Sequence, residues 1–109
     1  MVMTIRAILI GAYGSEGTKG ILGGSDRMAA VKAVAEAAGG SVNHVSFLRG
    51  DMDIYVDFNI PDAATLMGVA AAVHASGSFA NLQYYECIDN APVVAAAQKI
   101  LKSYVPANA

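Results

Sequence analysis

The chain opens on an apolar, β-branched run, residues 3–10 (MTIRAILI), which stops at Gly11 and predicts a mostly buried strand. The glycine-rich stretch Gly11 to Gly24 follows, and reads as a long loop with one helical turn near Thr18 to Leu22. Ser25 is placed to cap a helix over about 26–38, with Asp26 in its first turn. Apolar positions Met28, Val31, Val34, Ala35 and Ala38 recur there at helical spacing, and Gly39-Gly40 closes the helix. Two strands, Ser41 to Leu48 and Asp53 to Asn59, flank the turn formers Arg49-Gly50-Asp51-Met52. Pro61 ends the second strand, Asp62 caps a helix over about 63–75, and Gly77 breaks it. A strand from Ser78 to about Ile88 precedes a last helix over about 91–104, opened by Asn90 or Ala91 with Pro92 in its first turn and ended by Pro106. The order β-α-β-β-α-β plus one helix predicts an α+β, ferredoxin-like sandwich with an extra C-terminal helix. One domain over 1–109 is expected, with its core over about 3–88.

The central hairpin allows a register to be set. With the turn centred between Gly50 and Asp51, Phe47 faces Ile54, Ser46 faces Tyr55, Val45 faces Val56 and His44 faces Asp57. Val45, Phe47, Ile54, Val56 and Phe58 then share one apolar face, which must lie against the two helices. Val42, His44, Ser46, Leu48, Tyr55 and Asp57 share the other. On the last strand, Ala80, Leu82 and Tyr84 are assigned to the helix side, and Phe79, Asn81, Gln83 and Tyr85 to the second face. With both helices on one side, the second face is an apolar-rich patch open to water. Two copies packed sheet to sheet would cover it and enclose a cavity, so a homodimer or higher oligomer, of the dimeric α/β-barrel kind, is expected.

Composition narrows the class of partner. Hydrophobic residues make up 55% of the 109 and charged residues 15%, far from the low hydrophobicity and high charge of a disordered chain. The net charge is −2 and the seven Lys and Arg are scattered, so a nucleic-acid partner is not expected. Every apolar stretch is interrupted by Gly, Asp or His before the 18 or so residues that a membrane span needs. Arg6 sits inside the first apolar run rather than before it, which argues against a secretory signal. Cys87 is the sole cysteine, which excludes an internal disulfide or a multi-cysteine zinc site. A cytoplasmic domain is expected, with no membrane partner.

The ordered set of motifs resembles the GYD-domain family, small prokaryotic proteins of ferredoxin-like fold placed near the dimeric α/β barrels. Tyr13-Gly14-Ser15-Glu16-Gly17-Thr18-Lys19-Gly20-Ile21 is similar to the family's segment after the first strand. Arg27-x-x-Ala30 through Ala38-Gly39-Gly40 is similar to its R-x-x-A…G-G helix. Gly50-Asp51-Met52-Asp53 sits where the family has G-x-Y-D, Asn59-Ile60-Pro61-Asp62 resembles its E-A-P-D turn, and Gly77-Ser78-Phe79 falls on its G-N-V. Met52 stands in place of the naming tyrosine, Gly14 in place of a threonine, and Asn81 and Gln83 in place of two threonines. The resemblance implies the fold and a dimer, and no established activity.

The strongest candidates for chemistry lie on the second face. Asp57 opposite His44 could orient the imidazole and leave its other nitrogen as a general base. Ser46, Tyr55, Asn81, Gln83 and Tyr85 could hold a small organic ligand, with Arg6 as an anion contact. The same residues equally make a cross-strand polar pair and its surroundings at a subunit interface. The His, Asp and Glu present (His44, His74, Asp57, Glu86) lack metal-ligand spacing, so no metal and no cofactor are expected. His74 suits a helix C-terminus, Cys87 a buried inert thiol, and the Gly11–Gly24 loop lacks the G-x-G-x-x-G and G-K-[ST] patterns of phosphate cradles. Two functional classes follow: a small-ligand-binding or regulatory protein without catalysis, and a cofactor-independent isomerase or oxygenase using His44 and Asp57. A structural assembly subunit is a third. The sequence leaves open whether the chain is an enzyme.

Overall fold

The computed structural model describes residues 4–107; Met3, the first residue of the expected strand, lies outside them. The elements are β1 (Ile5–Tyr13), α1 (Ser15–Leu22), α2 (Arg27–Ala37), β2 (Ser41–Phe47), β3 (Ile54–Ile60), α3 (Ala63–Ala75), β4 (Phe79–Cys87) and α4 (Asn90–Leu101). The sheet runs β2-β3-β1-β4 with every neighbouring pair antiparallel. This is the ferredoxin-like α+β arrangement with a C-terminal helix. The sheet of one chain is open, not a barrel. Among the described residues no helix is long and apolar enough to cross a membrane.

α2, α3 and α4 start where short acidic side chains can satisfy free backbone amides, whereas α1 follows Gly14 with no side-chain cap. Asp62 Oδ1 accepts from Thr65 N at 2.8 Å, as expected. For α2 the cap is Asp26, accepting from Ala29 N at 3.0 Å, rather than Ser25. For α4 it is Asp89, accepting from Ala91 N at 3.1 Å, one residue before the predicted start. Gly39 and Gly77 follow the ends of α2 and α3 with φ of +79° and +75°, where a side chain would be strained.

The glycine-rich stretch corrects the expected loop. β1 continues to Tyr13 and two turns of helix, α1, occupy Ser15–Leu22. Close approach is the reason for a glycine here. Gly14 N donates to Ser78 O at 2.8 Å, and a Cβ on Gly17 would lie 2.3 Å from that same oxygen. The helix is therefore laid directly on the start of β4, which glycine alone permits.

The predicted hairpin register holds from His44↔Asp57 to Phe47↔Ile54, then slips by one at Asn43. The bulge moves Val42 opposite Phe58, on the helix side of the sheet, and not onto the open face. A second slip, between Ala12 and Tyr13, pairs Tyr13 with Phe79. Phe79 thus leaves the open face as well, and its ring stacks on Tyr13 with centroids 4.8 Å apart. Leu82 packs on the core as assigned. Phe47 keeps its predicted register, but at the sheet edge it is 59% exposed.

The core is thin. Ala7, Leu9, Ile54, Val56, Phe58, Ile60, Leu66 and Val69 form its buried centre. Only Ala35 of α2 is buried, and no residue of α4 is. The chain measures 59 × 40 × 23 Å with a radius of gyration of 17.8 Å, against about 13 Å for a compact domain of roughly this length. The exposed α4, carrying Val93, Val94, Ile100 and Leu101 in water, goes with that elongation.

Candidate functional site

The open face takes every second residue of each strand, so register alone decides its membership. Three rows cross the sheet: Ser41–Asn59–Arg6–Cys87, His44–Asp57–Ile8–Tyr85 and Ser46–Tyr55–Ile10–Gln83. Asn81 lies beyond them, opposite Ala12. All eight residues singled out from the sequence therefore share this surface. Arg6 and the β2–β3 residues form a polar end, while Ile8, Ile10, Tyr55 and Tyr85 give the middle an apolar character.

The polar end is built around Asp57. Arg6, diagonal to it on β1, donates from Nε to Oδ1 at 2.9 Å and to Oδ2 at 3.1 Å, and its Nη2 also donates to Oδ2. Asn43 adds a donor to Oδ1 at 3.1 Å. Asn43 and Asn59 exchange amide hydrogen bonds of 3.1 and 2.8 Å, and Asn59 reaches Ser41 Oγ at 3.3 Å. Asp57 is 4% exposed, the one buried charged or polar residue among those described. On an open sheet face that shielding comes from the neighbouring side chains lying over it.

These contacts hold the Asp57 carboxyl below the usual carboxylate range. The hydrogen bond from Arg6 is the largest cause, burial opposes it, and Asn43 and the charges of Arg6 and His44 add to it. The Arg6 guanidinium is correspondingly pushed up by the same hydrogen bond and by the charge of Asp57. Arg6 itself remains 61% exposed, so the pair is a buried anion roofed by a wet cation.

His44 and Asp57 are cross-strand partners, but their side chains turn to different neighbours. His44 Nε2 meets Ser46 Oγ at 2.6 Å, two residues along its own strand. On β4 the Tyr85 hydroxyl donates to Gln83 Oε1 at 3.1 Å. The predicted residues thus gather as three pairs: Arg6 with Asp57, His44 with Ser46, and Gln83 with Tyr85. Asn43 and Asn59 were missed by sequence reasoning. Their signal was the double polar step Asn43-His44 inside an alternating strand, which is where a bulge puts two residues against one. Cys87, expected to be buried, is exposed at the edge strand. No group of three His, Cys, Asp or Glu side chains is placed to hold a metal among the described residues.

The match to a family model decides the relationship: the GYD domain model covers residues 8–97, from inside β1 into α4. This chain belongs to the GYD domain family. No curated protein matches it. The family's naming motif falls on the β2–β3 turn, and Asp53 has a structural task there. Its carboxylate accepts from Tyr13 N at 2.8 Å and its backbone N–H donates to Gly11 O at 2.8 Å. In this GYD domain the motif aspartate pins the hairpin to the end of β1, on whose far side α1 begins, and it stands apart from the open-face cluster.

Proposed function

We propose that this GYD domain is a cytoplasmic homo-oligomer that binds a small organic ligand between packed sheet faces, in a binding or regulatory role without catalysis. The observation that carries this is the open face itself. It combines isoleucines and tyrosines that water disfavours with a rigid, fully hydrogen-bonded polar end. Covering such a face with a second copy hides the apolar middle and leaves Tyr55, Tyr85, Gln83 and Asn81 to line the space between. The exposed apolar residues of α4 supply a second surface for the same neighbour.

The binding role is favoured over the isomerase or oxygenase alternative by how Asp57 is used. A carboxylate holding three donor contacts from Arg6 and one from Asn43 has spent its acceptor capacity. General-base work by His44 requires Asp57 to leave Arg6, or His44 to act with no carboxylate orienting it. The test is Ile10→Glu, a charge in the middle of the open face. The variant is expected to stay folded and become monomeric; an unchanged assembly mass would contradict the proposed interface.

A further inference from the structure

A cavity lies on the helix side of the sheet, independent of the proposed interface. α2 leans on β2 and α3 on β4, so the central strands β1 and β3 are roofed by the gap between the helices. The gap is a cavity of about 290 Å³, roughly twice the ~150 Å³ that accommodates one benzene. Leu9, Val56 and Phe58 make its floor, and Val31, Val34 and Val73 its walls.

One end of it is polar and carries a cation. Arg27, Tyr13 and Ser78 line the cavity, and among the described residues no acidic one does. The Arg27 Nη2 donates to Ser25 Oγ, but Nε is closed off from solvent with no partner among the described residues. A buried guanidinium donor left unmade is costly, and it needs an acceptor. The phenol of Tyr13 is pushed up by burial and by the charge of Asp53, while the charge of Arg27 pulls it down.

We propose that this cavity binds a small apolar monocarboxylate, its hydrocarbon body between the valines of α2 and α3 and its carboxylate on Arg27. The volume suits a body of about ten heavy atoms, an aromatic or medium-chain acid. An anion meets a lining with one positive charge, that of the Arg27 guanidinium, and no negative one among the described residues. A neutral molecule of the same shape gains the apolar contacts only.

Calorimetric titration of the full chain tests this, with 3-phenylpropionate and octanoate against 3-phenylpropanol and octanol. At least one acid is expected to bind saturably and at least tenfold tighter than its alcohol. Arg27→Gln should erase that preference. Ala72→Phe, at the exposed mouth of the cavity on α3, should weaken both acid and alcohol at least tenfold. Equal affinity for acid and alcohol in the unaltered protein, or no saturable binding of either acid, overturns the proposal without recourse to a variant. Undiminished acid binding by Ala72→Phe places the site elsewhere and also overturns it. So does a fall in assembly mass in Ala72→Phe without acid binding, which would make the groove a contact between copies of the chain.

Discussion

Asp57 and Arg6 are unequal partners, and their substitution should show it. Arg6 is mostly in water, so on losing Asp57 its guanidinium simply rehydrates; Asp57→Ala is expected to cost roughly 1 kcal/mol in urea unfolding. Arg6→Met instead takes the main donor from a carboxylate that is 4% exposed in the unaltered chain, and should destabilise more than Asp57→Ala. The sign with pH follows from the lowered carboxyl. Because Asp57 titrates below its reference value of 3.8 in the folded chain, its contribution is complete above that value. It is lost as pH falls through the lower, folded one. In Arg6→Met burial is less opposed, so acid unfolding should lose part of its pH dependence below the reference value of 3.8. Identical pH slopes in the two proteins would contradict this account of the pair.

Among the elements, glycines that look alike in sequence do opposite things. Gly17 lies against the backbone of Ser78, and Gly17→Ala should cost about 1–3 kcal/mol by prising α1 from β4. A Cβ added to Gly68 in α3 would meet nothing within 4 Å among the described residues. Gly68→Ala should therefore stabilise by roughly 0.5–1 kcal/mol, read from thermal unfolding. That contrast also marks what the sequence could reveal. Apolar spacing and helix stops placed seven of the eight elements, and the turn between Gly50 and Asp51 set the pairing of His44 with Asp57. α1 was read only as one turn near Thr18 to Leu22 because its glycines suggest loop, while the contact that requires Gly17 is with Ser78, more than sixty residues away. Val42 and Phe79 were assigned to the wrong face for a related reason. Each lies past a bulge, and one extra residue inverts every side chain beyond it. The open-face members nearer the turn, on the predicted side of both bulges, kept their places. Their hydrogen-bond partners were not legible, since diagonal reach from Arg6 to Asp57 depends on side-chain length rather than on register.

For the whole molecule, the excess of apolar residues over charge has a definite location. Among the described residues ten apolar ones make the buried core, whereas the open face and α4 keep Ile8, Ile10, Tyr85, Val93, Val94, Ile100 and Leu101 partly or largely in water. A thin sandwich with a projecting helix stays soluble most readily when a second copy covers those surfaces. Charge placed on α4 should weaken the assembly as charge on the sheet does: Val94→Glu is expected to shift the association equilibrium toward monomer while leaving the far-ultraviolet helix signal in place. Sedimentation equilibrium of the full chain beside Ile10→Glu shows whether the open sheet face is a subunit interface. Twice the protomer mass or more is expected for the unaltered chain and the protomer mass for the variant. A monomer at every concentration of the unaltered chain, or one mass for both proteins, would contradict it.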